Sequence, residues 1–129
     1  MAKYVDGFVL VVPKNKVKEY KKMSQEGEEE WMRHGALEYY ECMGEDLKTK
    51  AMSGMPAPLS FTKLVKAKSS ETVWFSFIIF KSKKHRDEVN KKVMDEMNEK
   101  YKDQDPKDMK MPFDMKRMAY GGFSVEVEG

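Results

Sequence analysis

Few side chains in this sequence are of a type, and in a setting, that would do chemistry inside a fold: His34 and His85, the lone cysteine Cys42, and two carboxylates set in apolar runs. Those carboxylates are Asp6 in YVDGFVLVVP and Glu41 in ALEYYECM. Histidine is the side chain that titrates nearest neutral pH. His34, followed directly by Gly35, is expected where a helix hands over to a strand. There it is a candidate general base or ligand-binding group, with the alternative of a helix-terminal histidine that only complements the helix dipole. A carboxylate inside an apolar strand is costly to bury without a partner. Asp6 and Glu41 are therefore either rim groups in water, ion-paired at strand ends, or polar groups lining a cavity. The cavity reading makes them candidate acid/base residues beside His34. Arg86, in the run Ser82-Lys-Lys-His-Arg-Asp, is a candidate for holding an anionic ligand. Because a cation at a helix start opposes the dipole, an ion pair with a carboxylate across the fold is the competing role.

Other chemistries find little support. Cys42 has no local activating histidine and no C-x-x-C partner, so it is read as a small buried hydrophobe and not a catalytic thiol. The two histidines lie far apart with neither an H-E-x-x-H motif nor a cysteine quartet, so no metal site is expected. No spacing asks for a haem or any other cofactor at His34 or His85. The tripeptide His85-Arg86-Asp87 is that of kinase catalytic loops, but no glycine-rich loop or DFG accompanies it. YGGFSVEV echoes an RNA-recognition signature, yet Tyr120 stands where a basic residue belongs and the segment is the last strand, not the third. Charge agrees: 24 Lys and Arg against 22 Asp and Glu leave +2, without the one-sided basic excess of a nucleic-acid binder. The twelve methionines read as adaptable core or interface filling, since no soft-metal partners cluster with them. No apolar run approaches the ~20 residues that span a bilayer, and the start MAKYVD has no apolar signal region. The expectation is a soluble, cytoplasmic protein.

The elements that must position these residues follow from periodicity. Tyr4 to Pro13 is β-branched and aromatic and closes on proline, a strand. Lys14 to Arg33 changes period: Val17, Tyr20, Ser24, Gly27 and Trp31 recur at helical spacing, with Asn15 as a candidate cap and His34-Gly35 as the stop. Ala36 to Met43 alternates as a second strand, followed by a loop from Gly44 to Ser60. Phe61 to Ala67 fits either a short edge strand or one helical turn. Thr72 to Phe80, TVWFSFIIF, has the near-continuous apolar character of a central strand. Ser82 opens a second helix with a Val89, Val93, Met97 stripe; Lys102 to Met111 is irregular; Met118 to Glu128 is a fourth strand. One domain over residues 1–129 accounts for the length. The order is β-α-β-β-α-β: an α+β, ferredoxin-like fold with a four-stranded antiparallel sheet.

Two helices cover one sheet face, yet the third strand is apolar on both: Phe75, Phe77 and Ile79 on one side, Trp74, Ile78 and Phe80 on the other. A second copy of the same sheet is the simplest cover for the remaining face, giving a two-fold homodimer with a barrel-like interior. Alternation also puts Tyr39 with Glu41, Asp6 with Tyr4 and Phe8, and Trp74 with Ser76. The expectation is that Asp6, Tyr39, Glu41, Trp74 and Ser76 point away from the helices and converge on a chamber, with His34 at its entrance. Such a chamber, apolar with a few polar groups, suits an aromatic or planar small molecule. The ligand is expected to enter between the helix layer and the Gly44–Ser60 loop.

The segments YVDGFVLVVPKNKV, WMRHGALEYYEC, ETVWFSFIIFKSKKHRDEVNKKVM and MPFDMKRMAYGGF together resemble the DUF1428 (YbaA-like) family, from Tyr4 to about Val127. The motifs HGALEY, KKHRDEVN and KRMAYGGF carry the likeness. That family is similar to the dimeric α/β-barrel superfamily, which includes small monooxygenases of antibiotic biosynthesis, haem-degrading enzymes and stress-response barrels. The resemblance implies the fold and the dimer but no reaction, because one scaffold serves catalysts and plain binders. It leaves a small-ligand binder, with cofactor-independent oxygenase chemistry as its narrowest form. A non-catalytic interaction or stress protein is the alternative, and RNA binding a distant third.

Overall fold

The computed structural model describes residues 1–129. Four antiparallel strands, β1 (Tyr4–Pro13), β2 (Glu38–Met43), β3 (Glu71–Phe80) and β4 (Ala119–Ser124), form one sheet in the order β2-β3-β1-β4. Helices α1 (Val17–Arg33) and α3 (Lys83–Lys100) connect β1 to β2 and β3 to β4; the single turn α2 (Phe61–Leu64) lies between β2 and β3. This is the α+β, ferredoxin-like arrangement expected from the order of elements, with β3 central. No helix is long and apolar enough to cross a membrane.

Local chemistry accounts for most boundaries. Ser82 accepts the His85 N–H at 3.1 Å and caps α3; Ser60 accepts the Lys63 N–H at 3.1 Å and makes Phe61–Leu64 a helical turn, not an edge strand. Asn15 does not cap α1. It sits in a 3-10 turn, Lys14–Lys16, and α1 begins at Val17 with no side-chain cap. At the other end Gly35 takes φ +111°, the left-handed region in which a Cβ is penalised, and its N–H reaches the Met32 carbonyl at 3.2 Å. The reversal uses up Ala36 and Leu37, so β2 starts at Glu38, later than alternation alone implied.

Even-numbered residues of β1 and β3 face the long helices. Under α3, Ala36, Ile78, Phe80, Val89 and Val93 form one core cluster; under α1, Leu10, Val12, Tyr20 and Trp74 form another. Trp31 Nε1 donates to Asn90 Oδ1 at 2.9 Å and ties the two helices together. On the opposite face, Val11, Val65 and Val73 form a third, small cluster with Leu47 from the Gly44–Ser60 loop. The rest of that face is open: Tyr40, Phe75 and Phe123 are exposed.

Candidate functional site

The β2–β3 register sets Glu41 opposite Ser76, and Tyr39 opposite Ile78, on the helix-covered face. Directly opposite residues bring their side chains together, and Ser76 Oγ donates to Glu41 Oε1. Tyr20, on the inward stripe of α1, donates its hydroxyl to the same oxygen at 2.7 Å, while the Tyr39 hydroxyl donates to Oε2 at 2.7 Å. Gly27 lies one helical repeat beyond Tyr20. A Cβ there would stand 3.0 Å from the Tyr39 hydroxyl, a contact tight enough to press that hydroxyl out of place by a few tenths of an ångström.

Beside this carboxylate is a cavity of about 260 Å³ between the sheet, α1, the end of α3 and the segment that leads into β4. Trp31, Phe8, Phe113 and Met97 wall it. Tyr20 packs edge-on to Phe113, with centroids 6.0 Å apart at 87°, and against Trp74 at 4.9 Å and 60°. Burial first, and then the negative charge of Glu41, push the Tyr20 and Tyr39 phenols above their ordinary range, so both remain O–H donors. Glu41 forms no ion pair; its three partners are neutral hydroxyls. The Ser24 hydroxyl, buried on the cavity wall, is near enough to Tyr20 to influence its phenol, but no group meets it at hydrogen-bonding geometry. A shallower cleft on the other side of Glu41 is bordered by Lys21, Gln25 and Trp74.

Alternation grouped the candidate residues correctly but assigned them to the wrong face. Asp6, Tyr39, Glu41, Trp74 and Ser76 all point toward the helices, because α1 and α3 pack on the even-numbered side of β1 and β3. Tyr39, Glu41 and Ser76 meet at the cavity. Asp6 does not: it is buried beneath α3, where Arg86 Nη1 donates to Oδ1 at 2.6 Å and Asn90 Nδ2 to Oδ2 at 3.2 Å. Arg86 is thereby committed to a structural ion pair, and it also stacks on the Tyr4 ring at 4.8 Å. Trp74 is core under Tyr20, its Nε1 donating to Thr72 Oγ1 at 2.9 Å. His34 stands outside the cavity at the α1–α3 junction, paired through Nε2 with Glu96, to which Arg33 also donates at 2.6 Å. His85 accepts the Lys81 N–H through Nδ1 at 3.0 Å. Cys42 is not buried; as an even-numbered residue of a strand whose even-numbered side is open, it lies exposed on the open face. The Gly44–Ser60 loop contributes nothing to the cavity rim, since it packs against the far side of the sheet. No three His, Cys, Asp or Glu side chains converge in a way that would hold a metal ion.

Tyr20, Ser24, Trp31 and Phe113 were absent from the candidates drawn from sequence. Three of them belong to the helical stripe already visible in α1, and the available signal was a tyrosine and a serine four residues apart within that stripe. Phe113 had no local signal, because it reaches the site from an irregular segment.

The sequence profile described as a protein of unknown function, DUF1428, matches residues 3–115. An uncharacterized protein YbaA of Escherichia coli strain K12 is 38% identical over 130 residues, covering 98% of this chain and 98% of its own, and the uncharacterized YbaA of Shigella flexneri matches equally. Among solved structures, the de novo designed protein Foldit4 aligns along 98% of this chain and 99% of its own at TM-score 0.40 and 11% identity, too loose a superposition to argue from. With a profile match over most of its length and a relative similar from end to end, the chain belongs to the DUF1428 family of proteins of unknown function.

Proposed function

We propose that this protein is a homodimeric α/β-barrel that binds a small aromatic or planar molecule in the cavity between its helices and its sheet. The observation that carries the reading is Glu41, held by the Tyr20, Tyr39 and Ser76 hydroxyls at the wall of a mostly apolar space of about 260 Å³. Small-molecule sites are mostly apolar with a few placed polar groups, and this volume lies just below their usual ~300–1,000 Å³, so the ligand it suits is small. A cavity of this kind weighs against a purely structural role, in which side chains would fill the interior. Cofactor-independent oxygenase chemistry is the narrower version of the proposal. It requires a base beside the substrate, and among the carboxylates around the cavity Glu41 is the one held in place by hydrogen bonds, while His34 is engaged by Glu96. The homodimer is supported by the open apolar sheet face.

A ligand-observed NMR screen of aromatic fragments tests the binding site, run on the parent and on Ser24→Leu, which fills the cavity from α1. Fragments that bind the parent and are lost with Ser24→Leu, while the variant keeps its fold by circular dichroism, are the expected result. Fragments that bind both proteins equally, or none at millimolar concentration, would overturn the proposal.

A further inference from the structure

The cavity has a charge character that its volume and shape do not reveal. Of the nineteen residues around it, Glu26, Glu30 and Glu41 are acidic and none is lysine, arginine or histidine. Glu41 has neutral partners only, so its negative charge is solvated by hydroxyls but not neutralised. A carboxylate offers about four acceptor positions; three are taken. Trp31, Tyr20, Tyr39 and Phe113 line the same space, and aromatic rings attract cations within ~6 Å of their faces. An independent observation that points to a ligand is Ser24, whose hydroxyl is buried on the cavity wall with no group at hydrogen-bonding geometry. Buried polar atoms are seldom left so unless something else satisfies them.

We propose that the ligand of this cavity is an organic cation, a protonated amine on an apolar body the size of one aromatic ring. This rests on the ligand-binding reading above and narrows its chemistry. The ammonium donates one N–H to the free acceptor position of Glu41 and another to Ser24 Oγ. Its charge is balanced by Glu41, with Glu26 and Glu30 contributing a negative field at the rim. The apolar body lies among Trp31, Phe113 and Met97, where the flexible thioether adapts to its outline. An anionic ligand would meet three like charges and no countercharge, and a neutral one would leave the Glu41 charge unbalanced.

Three probes of similar size and different charge test this at neutral pH: 2-phenylethylamine, 2-phenylethanol and 3-phenylpropanoate, titrated by calorimetry and followed by NMR. The amine is expected to bind about tenfold or more tightly than the alcohol, and the propanoate more weakly than either. Glu41→Gln is expected to bring the amine down to the affinity of the alcohol while leaving the alcohol nearly unchanged. If that variant does not fold, the three-probe series on the parent protein decides alone. An alcohol or propanoate that binds the cavity as well as the amine would overturn the cation proposal and leave the ligand-binding reading standing. Failure of all three probes, together with an empty fragment screen, would overturn both.

Discussion

Asp6 is buried in the middle of the sheet beneath α3, with Arg86 on one oxygen and Asn90 on the other. A buried charge pair has a large desolvation cost that its attraction roughly offsets, whereas removing one partner leaves the other uncompensated. Asp6→Ala strands Arg86, which keeps Asp87 at 2.7 Å and Tyr120 at 3.2 Å as lesser partners. The expected loss is therefore at the low end for broken buried pairs, about 3 kcal/mol, read from urea unfolding at fixed protein concentration. Replacing both residues, Asp6→Ala with Arg86→Met, is expected to recover part of it. A double variant no better than the single one would show that the guanidinium is already well solvated. Glu41 differs in kind from Asp6. Both are carboxylates on the covered face, but only Asp6 has a cation, and only Glu41 borders open space.

Two ion pairs join elements that the backbone ladder leaves apart. Arg117, from the turn before β4, grips Glu71 at the start of β3 through Nη1 at 2.9 Å and Nη2 at 2.6 Å. Arg33 and His34 at the end of α1 hold Glu96 of α3. Hydrogen bonds from Arg117, then from the Lys68 backbone N–H, pull the Glu71 carboxyl down from 4.5 to about 2; those from Arg33 and then His34 do the same for Glu96. Carboxyls depressed in the folded state contribute stability that is fully present above the unfolded value and lost as pH falls through the folded one. Stability is thus expected to drop between about pH 4.5 and pH 2. Glu71→Gln should be less stable than the parent at pH 7 and lose less on acidification, measured as urea midpoints across that window. Parallel curves for parent and variant would show that Glu71 does not couple folding to pH.

The whole molecule leaves one broad apolar surface without cover. Phe75 is 46% exposed and Phe123 60%, in a face that also carries Val5, Val9 and Phe77. Leu47, Val65 and Ala67 cover one corner of it, and Phe61 of α2 packs edge-on to Phe75. Monomers seldom leave a contiguous patch of this kind in water, and a second copy of the sheet offers a self-complementary surface. Sedimentation at micromolar concentration is expected to give twice the monomer mass for the parent. Phe75→Glu should shift it toward the monomer with the circular dichroism spectrum unchanged. Cys42, opposite Phe75 in the β2–β3 register, should then react faster with an aqueous thiol reagent in the variant than in the parent. A monomeric parent would end the barrel proposal but leave the cavity intact, because the cavity lies on the helix-covered face and the apolar patch on the opposite face of the sheet.

Period-two alternation made much of this arrangement legible beforehand. It grouped Tyr39 with Glu41 and Trp74 with Ser76, while the near-continuous apolar character of β3 placed it at the centre and Gly35 ended α1, because side-chain parity, local apolarity and backbone sterics are properties of a few neighbouring residues. Parity does not say which face the helices take. That choice depends on where Tyr20, Trp31, Val89 and Val93 find apolar partners, a matter of contacts between residues remote in sequence, and it moved the candidate chamber from the open face to the covered one. For the same reason Cys42 lies exposed, Asp6 went to Arg86, and His34 was drawn aside by Glu96. The register that sets Glu41 against Ser76 spans the whole Gly44–Ser70 connection, and Phe113 arrives from beyond α3. The residue types of the site were readable in the chain; their convergence exists only once distant elements pack together.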